Sequence, residues 1–337
     1  MQHVKQRVNA RTPVAPTCLM ARTGDSRSIA PCCALLEQFR FVYDDSTWHS
    51  IPEMFKSLLK IGAMQLCLVE NRSTRDITTL VAFCASIFVA DTFCFEARTT
   101  LPPYLGSQIA RRFRESTLPV LNREQIAFCN SKAGVSVMTG YCGTQCDFLS
   151  SEHVFAVREK MAEAFRLAHQ GYQLKEIVCG PIGEETLRWA LDAGFRLRRD
   201  YCDFYHATNL AVPEGAMRPW LVGLTKKEAL ANYGSRASGL FVFTPPRFNF
   251  NFCEQAILRH SLAGETDDEM ASSLFISPWT VKKRWQSIYE RVANIDRELL
   301  PFAARELGTE SRGVERRRHL LGYLRQHLEE LRPLTHR

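Results

Sequence analysis

Residues 134–172, GVSVMTGYCGTQCDFLSSEHVFAVREKMAEAFRLAHQGY, decide how the first two thirds of the chain is read. GVSVMTGYCG has the composition of a strand that closes at Gly143. After a polar break comes the longest helical stretch of the chain. Ser151 is placed to cap it, because a serine oxygen can accept from the free N–H groups of the first turn, and Gly171 stands near its stop. The apolar run LKEIVCGPI, 174–182, then predicts a second strand. Strand, helix and strand in that order form the unit of a sheet with helices packed on it.

Outward from this unit the same alternation continues. EMFKSLLKIG, 53–62, is amphipathic and predicts a helix. AMQLCLVEN, 63–71, and TTLVAFCASIFVA, 78–90, are apolar strands joined by the polar RSTRDI. YLGSQIARRFRES, 104–116, sets Leu105, Ile109 and Phe113 on one helical face and arginines on the other, and REQIAFCNSK, 123–132, adds a helix. Downstream, EETLRWALDAGF, 184–195, predicts a helix and RLRRDYCDFYHAT, 196–208, a last strand. The expected fold class is α/β over residues 35–210: a mixed sheet with flanking helices.

Length and composition bound the rest. A chain of 337 residues suits about two domains, at roughly 100–200 residues each. No run approaches the ~18 apolar residues of a membrane span. The first thirty residues mix Arg7, Arg11, Pro13, Pro16 and Arg22 without an apolar core, which predicts a loose tail over 1–34 and a cytoplasmic, membrane-free protein. The net charge of +7 is concentrated beyond residue 215, a modest bias toward a polyanion partner. Eleven of the 12 cysteines lie before residue 203, most in apolar company, and read as small buried hydrophobes. Cys142, Cys146 and His153 fall close together, but their spacing matches no zinc pattern, so no metal site is expected.

The bridge over 211–249 contains the turn-rich VPEGAMRPW, 212–220, and a capping box from Thr225 to Glu228. LFVFTPPRFNFNF, 240–252, predicts a short strand, a Pro-Pro break and a stripe of Phe248, Phe250 and Phe252. The stripe suits a seam that docks a small domain better than a stacking platform for single-stranded nucleic acid.

Residues 250–295 divide into three short helices. CEQAILRHSLAG stops at Gly264, and TDDEMASSLF opens with a capping box from Thr266 to Glu269. Ser277 caps the third, with Pro278 in its first turn, where a missing N–H costs nothing. Val281, Trp285 and Ile288 share an inward stripe, whereas Lys282, Lys283 and Gln286 face away from it, with Trp279 and Thr280 at the exposed first turn. The tail over 296–337 carries a leucine stripe, Leu320, Leu321, Leu324, Leu328 and Leu331, that suits dimerisation, a lid or plain packing.

Two families are resembled. The element order of residues 60–205, ending in ALDAGF and a strand, resembles the GNAT acetyltransferases. In that family a Gln/Arg-x-x-Gly-x-Gly/Ala loop holds the pyrophosphate of acetyl-CoA through its backbone N–H groups. The corresponding stretch here is CGTQCDFLSSE, with the single glycine Gly143, and Asp147 and Phe148 oppose a phosphate there. The resemblance therefore implies a GNAT-like sensory module with no cofactor. Glu96, Glu124, His169, Tyr172, Tyr201 and Tyr205 stand in no marked spacing, so no catalytic residue is assigned, and His169 is expected to be partly exposed. Residues 250–295 resemble the LuxR/NarL-type helix-turn-helix, matching it at Glu254, Gly264, Thr266, Glu269, Ser277, Thr280, Val281 and Lys282. That resemblance implies double-stranded DNA as partner, a homodimer, and DNA contacts at Thr280, Lys282, Lys283, Arg284 and Gln286. The expectation is a transcription regulator, not an enzyme, answering to an unidentified small-molecule effector. An active, DNA-associated N-acetyltransferase is the alternative.

Overall fold

The computed structural model describes residues 18–72, 78–145, 151–300 and 309–335. Strand β1, Leu19–Thr23, leads to α1, Ile29–Leu36, and α2, Asp45–Lys60, which Asp44 caps by accepting from the Thr47 N–H at 2.8 Å. β2, Met64–Arg72, and β3, Thr78–Val89, follow as an antiparallel pair. Three helices then intervene: α3, Asp91–Thr99; α4, Leu105–Arg114; and α5, Arg123–Asn130. β4, Val135–Thr144, α6, Ser151–His169, and β5, Leu174–Cys179, form the strand–helix–strand unit. α7, Glu184–Asp192, β6, Arg196–Arg199, α8, Cys202–Ala207, β7, Leu221–Thr225, and α9, Lys226–Ala231, complete this part.

Among the described residues the sheet has seven strands in the order β1-β2-β3-β4-β5-β7-β6. β4 and β5 run parallel, the other neighbours antiparallel. A parallel pair needs a crossover, and α6 supplies it. The pleat sorts the core into two layers, since alternate side chains leave a strand on opposite faces. Leu66, Leu68, Phe83, Ala85 and Ile87 join the α1, α2 and α4 side. Cys67, Val69, Ala82 and Cys84 meet Val157, Ala164 and Ala168 of α6 on the other.

Where sequence and structure differ, the cause is mostly tertiary. Residues 19–36 are ordered into β1 and α1 although the sequence predicts a loose tail over 1–34; Arg22 of β1 donates to Glu70 of β2, at 2.8 Å through Nε. The predicted strand 196–208 ends at Arg199, because the backbone turns left-handed at Tyr201 (φ 60) and continues as α8. The sheet also runs beyond residue 210: β7, inside the predicted bridge, enters between β5 and β6. In place of a strand at 240–252 there is a 3-10 turn at Ser238–Phe241 and extended chain.

The rest of the described chain is helical: α10, Phe252–Leu262; α11, Asp267–Ser273; α12, Pro278–Ile295; and α13, Thr309–Gln326. Capping boxes at Asn251–Glu254 and Thr266–Glu269 start α10 and α11, and Ser277 caps α12. α11 and α12 are joined through Phe275, at φ 54. Phe248, Phe250, Ile257, Met270, Val281, Trp285, Ile288, Leu320 and Leu324 form one core, so the leucines of the tail are packed here. Phe252 is exposed. A 3-10 turn, Leu328–Leu331, then brings the chain back against the sheet-containing part, where Arg332 donates to the carbonyls of Gln170 and Leu167, both at 2.9 Å.

Candidate active site

The site begins where two parallel strands part. β4 and β5 are paired from Val135 to Thr139, and the Gly180 N–H donates to the Thr139 carbonyl at 3.0 Å. β5 ends at Cys179, while β4 runs on to Thr144, paired among the described residues with β3 alone. The Thr144 carbonyl accepts from Gln38 Nε2 at 3.2 Å, and the edge of β4 from Gly140 to Gly143 faces no described strand. A cavity of about 1680 Å³ opens against it, lined by the end of β4, by α6, by Cys179–Glu185 and by the start of α4.

Close backbone packing shapes one wall. Gly140 is skipped in the β3–β4 register, between Thr139 and Tyr141, so the strand bulges there. A Cβ on Gly106 would come 2.6 Å from the Gly140 carbonyl oxygen, and one on Gly140 would come 2.9 Å from the Gly106 nitrogen. Neither position admits a side chain while the first turn of α4 lies on the bulge. The buried Tyr141 phenol donates to the Gly106 carbonyl and holds that contact.

Tyr104 stands at the mouth of this wall. Its backbone is left-handed (φ 65, ψ 73), a conformation that a bulky residue adopts only when its surroundings enforce it. Its phenol donates to the Met217 carbonyl at 2.9 Å. Burial, and then the nearby Tyr205, push the Tyr104 pKa up, so the phenol carries its proton at neutral pH. Tyr104, Leu105, Gly106 and Ser107 all line the cavity.

Four carboxylates also line it. Glu159, Glu163 and Glu185 are paired with Arg236, Lys160 and Arg158 at 2.6, 2.8 and 2.6 Å. Glu184, in the first turn of α7, has no ion-pair partner among the described residues. Two of the cavity thiols, Cys84 and Cys179, are poorly suited to attack. Burial pushes Cys179 up to about 12, and Cys84, which lies opposite Cys142, is raised well above the ordinary thiol value by Cys142 and by burial. Thiols held in their protonated form are weak nucleophiles.

His169 is buried, at 2 % exposure, rather than partly exposed as the sequence suggested. Its Nδ1 lies 2.8 Å from the Phe165 carbonyl and its Nε2 2.9 Å from the Ser86 hydroxyl. The carbonyl requires the proton on Nδ1, leaving Nε2 to accept from Ser86. Burial drives the pKa down to about 4, so the ring is a neutral packing group. Asp147, Phe148 and Cys146 lie outside the described residues, and no cluster of metal-binding side chains occurs among the described ones.

On α12, Val281, Trp285 and Ile288 are buried, while Lys282, Lys283 and Gln286 are exposed and Thr280 and Arg284 half-buried. Lys283 Nζ sits 4.0 Å above the Trp279 ring, and Gln286 donates to Glu290 at 2.9 Å. These side chains gather on a face of the helical part, away from the cavity lining. Sequence reasoning missed Tyr104 and Glu184, whose significance comes from the parting of β4 and β5. The Pro-Pro-Tyr at 102–104 and the Gly-Glu-Glu at 183–185 mark breaks in the chain, but neither has a catalytic spacing.

No protein-family profile and no curated protein matches the chain. Solved structures do align with it. Spermidine N-acetyltransferase from Vibrio cholerae aligns over 64 % of this chain and 98 % of its own, at 9 % identity and a TM-score of 0.35. An acetyltransferase of the GNAT family from Staphylococcus aureus Mu50 covers 62 % and 99 %, at 7 % identity and TM-score 0.33. Mosquito arylalkylamine N-acetyltransferase like 5b covers 62 % and 100 %, at 8 % identity and TM-score 0.38. The mixed sheet with flanking helices that the sequence predicts is present in the N-terminal part, and acetyltransferases of the GNAT family are among the solved structures that align with it. The expectation of a DNA-binding regulator that is not an enzyme is at odds with these neighbours, which are acetyltransferases, and is not carried further. At such TM-scores the likeness is loose, and the functional reading rests on the cavity.

Proposed function

We propose that the sheet-containing part is an N-acyltransferase that takes its acyl group from a CoA-type thioester and passes it to an amine. The observation that carries this reading is the β4 edge at Gly140–Gly143, which faces no strand among the described residues and borders a cavity of about 1680 Å³. An unpaired strand edge presents a row of backbone N–H and C=O groups. The amide-bearing arm of a CoA thioester supplies the complementary groups, so the residues present fit such a donor. The chemistry the donor brings is an activated carbonyl with a thiolate leaving group. The chain's own contribution is placement and protons. Glu184, with no ion-pair partner among the described residues, favours a cationic amine at the cavity wall and can take the proton that this amine must lose before its nitrogen attacks the thioester carbon. Tyr104, which lines the cavity and whose phenol donates to the Met217 carbonyl at 2.9 Å, is the candidate proton donor to the departing sulfur once that hydrogen bond is given up.

The test is calorimetric titration of the full chain with acetyl-CoA and longer acyl-CoAs, followed by mass spectrometry of mixtures with primary amines. Donor binding and an acylated amine are expected. Tyr104→Phe, which keeps the ring and removes the proton, should lower turnover by about 10²-fold or more while leaving donor affinity near that of the parent. Absence of donor binding overturns the proposal.

A further inference from the structure

Three arginines lie where the helical part and the sheet-containing part touch, and none of them lines the cavity. Arg123 opens α5, Arg259 lies in the last turn of α10, and Arg332 follows the 3-10 turn Leu328–Leu331. One side chain ties the cluster together. Gln255 accepts from Arg123 Nη2 at 2.6 Å and donates to the carbonyls of Arg332, at 2.9 Å, and Glu330, at 3.3 Å. Aromatic rings floor the cluster: Arg123 lies 4.6 Å over Phe252, and Arg332 5.0 Å over Tyr172. Arg332 already gives Nε and Nη2 to the carbonyls of Gln170 and Leu167, so its Nη1 is the group left for an anion, and Arg259 has among the described residues one long hydrogen bond, 3.4 Å, to the Leu331 carbonyl.

Among the described residues no carboxylate pairs with any of the three. The nearby acids are engaged elsewhere. Glu254 accepts from Arg291 and Ser287, Glu329 from Gln170, with His327 Nδ1 at 2.9 Å, and Glu330 from the backbone N–H groups of Arg247 and Phe248. The half-buried Arg259 guanidinium is pulled down to about 10, by burial first and then by Arg123 and Arg332. Gathered cations without a counter-charge repel one another, and the guanidinium fork is shaped for tetrahedral oxyanions. We infer that Arg123, Arg259 and Arg332 bind a phosphate group at the junction of the two parts, so that an anion joins them.

Thermal unfolding of the full chain, with inorganic phosphate or with chloride at matched ionic strength, reads this out. Phosphate should raise the Tm by several degrees over chloride in the parent, because a ligand held by the folded state stabilises it. Arg259→Gln should lose that gain, yet melt no lower than the parent in chloride, since one repelling cation is gone. Arg259→Lys keeps the charge without the fork and should retain a reduced gain. It also decides the matter where the Gln variant fails to fold. A phosphate gain equal in parent and both variants would assign the effect to another site, such as the donor cavity, and overturn the inference. No phosphate gain in the parent overturns it as well. Neither result bears on acyl transfer, which is measured separately.

Discussion

His169 shows how much one buried titratable side chain can weigh. Folding holds its pKa down near 4, whereas an unfolded chain would show about 6.5. The folded state thus favours the neutral ring, and its contribution is complete above the unfolded value. As pH falls from 6.5 towards 4 the unfolded state binds the proton first, and stability declines by up to about 1.4 kcal/mol per pH unit. Melting curves of the parent across that window should show the decline, and His169→Gln should flatten it while lowering the Tm at pH 8. An unchanged slope in the variant would remove His169 as the cause. The sequence could not show this, because on the long helix the histidine follows an amphipathic run, and only the packing of Phe88 and Phe165 on its ring settles its burial. Tyr104 was equally hidden: its left-handed backbone, just before α4, has no signature in the sequence.

At the scale of elements the apolar runs were readable, because β2, β3 and β4 are largely buried on both faces and β3 above all is nearly continuous in hydrophobic residues. β7 escaped notice because LVGLT is short and follows a proline-rich turn, and β6 was overextended because its charged residues continue past the strand end. The cavity was not legible at all. It depends on where β4 and β5 separate, a pairing between segments about as far apart as a whole crossover helix. Two substitutions probe the elements. Gly106→Ala places a methyl 2.6 Å from the Gly140 oxygen, which the backbone must yield to. A loss of about 1–3 kcal/mol in denaturant unfolding is expected, with weakened donor binding as α4 shifts. Trp285→Ala removes an indole that is 4 % exposed, stacked on Tyr289 and covered by Arg317. It should cost about 3–5 kcal/mol, whereas Lys283→Ala, on the exposed face, should leave the Tm within error. Equal melting of the two variants would mean that the core of the helical part is elsewhere.

Across the whole molecule, the two parts differ in how far they were visible from sequence. The helical part is built from local signals, its capping boxes and the i, i+4 and i+7 stripe, so its helices were readable one by one. The sheet is built from distant pairings, and its order emerges only in three dimensions. The position of β7 has a kinetic consequence. It fills the slot between β5 and β6, so the outermost strand, β6, reaches the sheet solely through a strand that follows it in the chain. β6 can join the sheet only with β7 or after it, and Glu228 behind β7 draws in Arg198 and Arg196 of β6. We predict that the two strands zip together and dock on β5 as a pair. Opening retraces the same route, because local unfolding proceeds in contiguous cooperative units. In native-state hydrogen exchange the amides of β6 and β7 should therefore be released together, ahead of those of β3 and β4. Refolding from denaturant should protect that pair last, as the closing step of a sheet whose centre is already assembled.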